Sequence, residues 1–208
     1  MSKTYAIAAG AVVLALLGGT YAITQMSGPD DIFAECRSSQ AAGGAIGGPF
    51  ELVDENGQTV TDADVITGPT LIYFGYTFCP DVCPLDNMRN AQAIRILDEQ
   101  GVDVKPVFIS IDPERDTVDI VRDFTDNFHE RMLGLTGTPE QVRAASQAYR
   151  TYYNKQDSDD EFYLVDHTTM SYLVFPEYGF LEFYRREVTP EEMAISLACF
   201  VEAAENAG

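Results

Sequence analysis

Two cysteines, Cys79 and Cys83, lie with three residues between them at the junction of two contrasting stretches of sequence. The stretch before them, Thr70 to Phe74, is β-branched, aliphatic and aromatic, which is typical of a buried strand. The stretch after them, from Pro84 to about Gln100, is amphipathic and predicts a helix. Thiols at the start of a helix meet free backbone N–H groups and the positive end of the helix dipole, which favour a thiolate. A thiolate is both a soft metal ligand and a redox nucleophile, so the pair predicts one of these two chemistries.

The spacing of the cysteines leaves both chemistries open. Dedicated dithiol oxidoreductases with this order of strand, cysteines and helix use Cys-x-x-Cys, whereas the loop here is one residue longer. The wider loop leaves room for an ion between the sulfurs and still permits a disulfide, but a disulfide has no thiolate left to bind metal. Two thiolates completed by an imidazole suit copper, whereas tetrahedral zinc requires a fourth ligand that the pattern does not supply.

The chain has two histidines. His167 lies between two strand-like runs, and this break can place its imidazole beside the cysteines, with Asp166 as the residue that orients the ring. A structural histidine without a ligand role is the alternative. His129 follows a predicted helix end and is interpreted as a surface residue. Met88 and Met170 are interpreted as core residues rather than ligands.

The remaining cysteines, Cys36 and Cys199, leave a second question open. An even number of cysteines in an exported chain permits full pairing, so these two are candidates for a structural disulfide between the linker and the last helix. Two free thiols are the alternative, because the sequence does not show whether the pair comes within bridging distance.

The order of predicted elements shows how these side chains are positioned. Residues 27–48 are rich in Gly, Ala and Ser and predict a flexible linker, and residues 49–208 form the folded domain. That domain begins with a hairpin around Glu55-Asn56-Gly57. Predicted strands then cover 70–75, 104–111, an edge strand at 131–135, 162–165, 169–175 and 180–184, and predicted helices cover 84–100, 117–128, 138–153 and 189–204. This order predicts an α/β fold, a thioredoxin-like mixed sheet with helices on both faces.

Residues 1–26 predict a cytoplasmic N-terminus followed by one transmembrane helix. No charged residue occurs from Tyr5 to Met26, and as a helix this run spans the hydrocarbon core of about 30 Å. Lys3 precedes the run and Asp30 follows it, which places the N-terminus in the cytoplasm. A cleavable signal peptide with Thr20-Tyr21-Ala22 as its cleavage site is the alternative. The lack of an Arg-rich presequence favours a bacterial inner membrane over an imported organelle protein. We therefore expect a single-pass protein of that membrane with its soluble domain in the periplasm.

The chain is strongly acidic. It has 33 acidic and 13 basic residues and a formal net charge of −20. Such a surface repels nucleic acid and anionic membrane faces, so we expect neither as a partner. Solubility alone is a sufficient explanation of the charge.

Three ordered segments of the sequence resemble the signature motifs of the Sco (SenC) copper-chaperone family. They are Tyr76-Thr-Phe-Cys-Pro-Asp-Val-Cys-Pro84, Ser110-Ile-Asp-Pro-Glu-Arg-Asp-Thr117 and Tyr163-Leu-Val-Asp-His-Thr168. The resemblance implies a thioredoxin-like domain outside the membrane that holds one copper ion, Cu(I) or Cu(II), through Cys79, Cys83 and His167. It also implies a role in assembling the binuclear copper centre of cytochrome c oxidase, with the copper-bearing subunit and a copper donor protein as partners.

The sequence departs from the family pattern at two positions and leaves a second function open. Phe78 replaces a histidine that is frequent in relatives, and Phe175 replaces an acidic residue that is common before Pro176. Asp112 and Asp116 match family positions, but roles in a loop and a helix cap explain them equally well. The alternative function is a thiol-disulfide oxidoreductase or thiol peroxidase that uses the cysteine pair as its redox centre.

Overall fold

The computed structural model of the chain describes residues 31–37, 46–157 and 163–207. The predicted transmembrane anchor at 1–26 and part of the predicted linker at 27–48 lie outside these ranges. Within the described ranges, no helix combines the length and the apolar character that a membrane span requires.

The domain is built on a mixed sheet with two neighbouring strands, β3 and β8, that are completely buried. Of the strands in the described residues, seven form this sheet in the order β2-β1-β5-β4-β3-β8-β9, and β6 and β7 form a separate two-stranded ribbon. Neighbours among β3, β4 and β5 are parallel, and the other neighbours are antiparallel. All residues of β3 are buried, because this strand is covered on both faces. The bounds are β1 Glu51–Asp54, β2 Thr59–Thr61, β3 Thr70–Gly75, β4 Lys105–Ser110, β5 Leu133–Thr136, β6 Tyr153–Lys155, β7 Val165–His167, β8 Ser171–Phe175 and β9 Gly179–Tyr184.

Helices cover both faces of the sheet. In the described residues they are α1 Asp62–Val65, α2 Val82–Gln100, α3 Val118–Asp126, α4 Pro139–Ala148 and α5 Pro190–Ala207. One face packs against α2 and α5 in an apolar cluster that contains Leu71, Leu97, Leu173 and Leu197. On the opposite face, Tyr149 at the end of α4 contacts Phe74 and Tyr172. The predicted mixed α/β sheet with helices on both faces is confirmed.

The strand predicted at 162–165 lies later, as β7 at Val165–His167, and three further elements differ from the prediction for a local reason. β5 lies inside the sheet rather than at its edge, because β1 pairs with it on the side away from β4. α2 begins at Val82 rather than near Pro84, since a proline in the first helical turn removes an N–H that has no acceptor within the helix. α4 ends at Ala148 rather than near Tyr153, because Arg150, two residues after the helix end, takes a left-handed backbone conformation with φ of 52°.

Residues 31–37 form a strap against the domain, although they fall within the predicted flexible linker. Phe33 is buried and its ring contacts Phe175 at the end of β8. A disulfide joins Cys36 to Cys199 of α5, with 5.6 Å between the Cα atoms. Because β8 runs antiparallel to β3, the strap lies at the end of the sheet opposite to the carboxyl end of β3.

Candidate metal centre

Cys79, Cys83 and His167 meet at the carboxyl end of β3, and three different elements supply them. Cys79 lies in the loop after β3, Cys83 in the first turn of α2 and His167 at the end of β7. Their Sγ and imidazole nitrogen atoms all lie within 4.8 Å of one another, and Cys83 Sγ is 3.2 Å from His167 Nε2. In the part of the chain that the structure describes, no other group of three His, Cys, Asp or Glu side chains is close enough to share an ion. The three residues singled out from the sequence therefore form one compact site.

Gly75, the last residue of β3, makes room for the second sulfur. A Cβ atom at this position would lie 3.0 Å from Cys83 Sγ and 2.8 Å from the ring of Tyr73. Cys83 thus fills the space that a side chain at position 75 would occupy, and its exposed fraction is 0%. The missing side chain lets the start of α2 lie directly on the strand.

The loop that carries Cys79 is anchored by a buried carboxylate. Asp116 accepts hydrogen bonds from the Thr77 backbone N–H at 3.0 Å, the Thr77 hydroxyl at 2.5 Å and the Ser110 hydroxyl at 2.6 Å. Burial raises the pKa of Asp116, and these three donors offset the cost of removing its charge from water. Asp116 therefore stabilises the loop and does not cap the helix, because the N-cap of α3 is Thr117.

The pKa values of the two thiols are shifted in opposite directions. The pKa of Cys79 is lowered to about 3, first by a hydrogen bond from the Cys83 thiol and then by the backbone N–H groups of Cys83 and Asp81, while burial opposes this effect. The Cys83 backbone N–H donates to Cys79 Sγ at 3.4 Å. Burial and the neighbouring Cys79 thiolate raise the pKa of Cys83. The pair therefore holds a thiolate at Cys79 and a thiol at Cys83, as expected where sulfur faces a helix start.

The imidazole of His167 presents a free lone pair to the sulfurs. Its Nδ1 lies 2.9 Å from the backbone carbonyl oxygen of Thr168, which only accepts hydrogen bonds, so Nδ1 carries the proton in neutral imidazole. Nε2 then faces Cys83 Sγ with its lone pair. The prediction that Asp166 orients this ring is wrong. Asp166 is exposed and accepts a hydrogen bond from Gln156, because side chains alternate sides along β7.

Two tyrosines that the sequence analysis did not single out enclose the imidazole. Tyr73 and Tyr76 present their rings edge to face with His167, at centroid distances of 6.4 and 5.7 Å. The Tyr76 hydroxyl also accepts a hydrogen bond from the Val165 backbone N–H at 3.3 Å. Alternation along β3 puts Tyr73 on the same face as Gly75, which is the sequence signal that could have identified it.

Other residues considered from the sequence lie outside the site. His129 has 6% of its surface exposed and contacts Asp98, so its interpretation as a surface residue is wrong. Met88 is 50% exposed, so its assignment to the core is wrong. Met170 is partly buried and packs against the hydrophobic core. Phe78 is 47% exposed next to Cys79.

Comparison with known proteins agrees with the geometry. The family model described as SCO1/SenC matches residues 38–202. The chain is 51% identical over 208 residues to Protein SenC of Rhodobacter capsulatus, and the match covers 100% of this chain and 94% of that protein. The crystal structure of Arabidopsis thaliana ScoI with copper bound is 42% identical, has a TM-score of 0.71 and is matched over 78% of this chain and 99% of that one. Bradyrhizobium japonicum ScoI with copper bound is 40% identical, with a TM-score of 0.66 over 74% of this chain and 98% of that one. The chain therefore belongs to the SCO1/SenC family.

Proposed function

We propose that this protein is a copper metallochaperone that holds one copper ion as cargo and delivers it to the binuclear copper centre of cytochrome c oxidase. The observation that carries the proposal is the convergence of Cys79, Cys83 and His167 within 4.8 Å. Two sulfurs and one imidazole nitrogen form a soft donor set that suits copper. Relatives at 40% and 42% identity have been solved with copper bound, which supports the same cargo here.

The donor set fits copper better than zinc. Structural zinc sites are tetrahedral and closed by four protein ligands, and the described residues supply three within reach of one another. Cu(I) is matched by the two soft thiolates, whereas Cu(II) also requires the imidazole nitrogen of His167. Metal binding requires both thiols to be reduced, because a disulfide between Cys79 and Cys83 leaves no thiolate to donate.

The surface around the site favours transfer to another protein over permanent retention of the ion. Phe78, Leu85, Met88 and Leu164 are large apolar side chains, between 43% and 54% exposed, and each lies within five residues of a ligand in the sequence. Exposed apolar groups mark a protein contact surface where they form one contiguous patch, and the support for such a patch here is the closeness of these four residues to the ligands in the sequence. We infer that the copper-bearing subunit of cytochrome c oxidase and a copper donor protein contact this surface.

We propose that the protein is a single-pass protein of the bacterial inner membrane with its copper-binding domain in the periplasm. The uncharged run from Tyr5 to Met26 supports an anchor. The disulfide between Cys36 and Cys199 supports an oxidising compartment, because structural disulfides are rare in the cytosol. Protease treatment of spheroplasts tests this location, and protection of the domain from the added protease would contradict it.

Copper titration of the reduced full-length protein tests the function. We expect one copper ion per chain, and we expect Cys79→Ser and Cys83→Ser each to weaken the binding of Cu(I) and Cu(II) by at least about tenfold. His167→Ala is expected to weaken Cu(II) binding most. Wild-type protein that binds no copper, or variants that bind it as tightly as wild type, would contradict the proposal.

A thiol-disulfide oxidoreductase is the second candidate function, and the lowered pKa of Cys79 favours it because a thiolate is the attacking species. His167→Ala distinguishes the functions: loss of Cu(II) with intact disulfide exchange supports the chaperone, and the reverse pattern supports the enzyme.

A further inference from the structure

The ribbon that carries His167 is not hydrogen-bonded into the main sheet. β7 pairs with β6, and neither strand pairs with a strand of the seven-stranded sheet. The cysteines, by contrast, lie in the loop after β3, a completely buried strand, and in the first turn of α2, the helix that packs on it. The distance from imidazole to sulfur therefore depends on side-chain contacts that hold the ribbon against the body of the domain.

Most of the polar contacts come from the loop of residues 112–116, which follows β4. The Arg115 guanidinium donates from Nη1 to the backbone carbonyl of Tyr163 at 2.9 Å, and it lies 3.6 Å from the centroid of the Tyr163 ring. Asp112 accepts from Arg115 Nε at 2.5 Å and from the Tyr163 hydroxyl at 2.6 Å. Arg115, Asp112 and Tyr163 thus contact one another, and we call these three residues the clasp. Tyr163 lies four residues before His167.

The same loop also contacts the cysteine side of the site. Arg115 lies 5.7 Å from the ring centroid of Tyr76 and 4.9 Å from that of Phe78, the residue that precedes Cys79. Asp116, the next residue, anchors Thr77. One short loop therefore fixes the cysteine loop on one side and the histidine ribbon on the other.

We propose that Arg115, held by Asp112, is a positioning residue that sets the distance between His167 and the two sulfurs and so determines how well the site accepts Cu(II) relative to Cu(I). The inference rests on the proposed copper function. Two thiolates alone satisfy Cu(I), whereas Cu(II) gains from the imidazole nitrogen. Opening the clasp lets the ribbon move away while the cysteines stay in place, so the affinity for Cu(II) falls and the affinity for Cu(I) remains.

The guanidinium group is required for this contact, and a positive charge alone is not sufficient. Arg115 stacks on an aromatic ring while it donates to a carbonyl and a carboxylate in fixed directions, and a lysine ammonium lacks this planar shape. Arg115→Lys is therefore expected to behave like Arg115→Gln rather than like wild type.

The test compares Arg115→Gln with Arg122→Gln in the reduced full-length protein. Arg122 is the matched control, because it also pairs with an aspartate three residues away but lies on the exposed face of α3. We expect Arg115→Gln to weaken Cu(II) binding by about 10- to 100-fold, to change Cu(I) binding by less than about threefold and to reduce the nitrogen hyperfine splitting in the Cu(II) electron paramagnetic resonance spectrum. Arg122→Gln should match wild type in all three measurements.

A measurement without metal separates this inference from the copper function. Amide hydrogen exchange at Val165, whose N–H donates to Tyr76, reports detachment of the ribbon, and it should accelerate in Arg115→Gln and in the milder Asp112→Asn. Unchanged exchange and unchanged Cu(II) binding in both variants would overturn the inference, as would equal loss of Cu(I) and Cu(II). If wild type binds no copper, the copper function fails, and the exchange rates still decide whether Arg115 positions the ribbon.

Discussion

The two histidines of the chain occupy opposite kinds of environment. His167 is partly exposed and turns a lone pair toward sulfur, whereas His129 is buried and held on both ring nitrogens. His129 Nδ1 accepts from the Arg131 backbone N–H at 3.2 Å, so Nε2 carries the proton and donates to Asp98 at 3.1 Å. The neutral imidazole satisfies both partners, which identifies His129 as a structural histidine.

Acidification should destabilise the fold through His129. Burial, as the largest cause, lowers its pKa from 6.5, with Arg131 and Arg95 acting in the same direction against Asp98. Because the folded pKa is the lower one, the unfolded chain takes up the proton first, and the stabilisation present above about pH 6.5 is lost as the pH falls through the folded value. We expect the free energy of unfolding to fall less between about pH 7.5 and about pH 5.5 in His129→Gln than in wild type, as measured by urea denaturation. Equal changes in both proteins would contradict this role.

At the residue scale, the metal ligands could be predicted from the sequence, and the groups that support them could not. Cys79, Cys83 and His167 are recognisable because their chemistry and their motifs mark them. The group that orients His167 is the carbonyl oxygen of Thr168, and every residue has such an oxygen, so no side-chain pattern points to it. A neighbouring carboxylate such as Asp166 is visible in the sequence, but the alternation of the strand turns it outward.

At the scale of elements, the site depends on how closely α2 can approach β3. The two elements are joined by a short loop, and the first turn of the helix places Cys83 against the end of the strand. The closest approach is at Gly75, where the strand presents backbone only. Helix, strand and sulfur are packed so tightly there that a single methyl group has no space.

Gly75→Ala is therefore expected to disturb both packing and metal binding. The added methyl would meet the Tyr73 ring, Cys83 Sγ and the Phe108 ring at 2.8, 3.0 and 3.1 Å, and such overpacking costs about 1–3 kcal/mol. We expect a lower free energy of unfolding, measured by urea denaturation, and at least about tenfold weaker copper binding. Gly68→Ala is the matched control, because a Cβ atom there meets nothing within 4 Å. Copper affinity that is unchanged in Gly75→Ala would show that the site tolerates displacement of Cys83.

Elements with strong periodicity or clear end signals could be predicted, and the histidine ribbon could not. A capping box between Thr138 and Gln141 begins α4, and Gly101 ends α2 in a left-handed conformation, and both are signals that can be recognised in a sequence. Nothing in the sequence marks the end of α4, because Arg150 is neither Gly nor Pro, yet it takes a positive φ. The sequence therefore predicts a helix that continues to Tyr153, the first residue of β6, and it does not predict the ribbon.

For the molecule as a whole, the disulfide links the strap near the start of the described residues to the last helix. Cys36 and Cys199 are 163 residues apart in sequence, so the bond constrains nearly all of the unfolded domain. We expect Cys36→Ser/Cys199→Ser to lower the free energy of unfolding by about 2–5 kcal/mol in non-reducing urea denaturation. The control is a thiol reductant, which should destabilise wild type by a similar amount and leave the double variant unchanged. Equal stability of the two proteins without reductant would contradict a structural role for the bond.

If the chain is anchored through residues 1–26 as proposed, the strap limits the distance between the bilayer and the copper-binding end of the domain. If the predicted anchor ends at residue 26, the segment from there to residue 31 has a length of at most about 17 Å. Without the strap, the connecting segment would extend to residue 46 and have a length of at most about 70 Å. The strap contacts the end of the sheet where β3 begins, and the metal ligands lie at the opposite end of the sheet, roughly 20 Å away along β3. Under the proposed membrane location, a connection this short would keep the ligand end away from the lipid, and a copper-accepting protein would have to reach the site at that height. Reduction of the bond between Cys36 and Cys199 would remove one attachment of the strap and, in an anchored protein, would lengthen that connection.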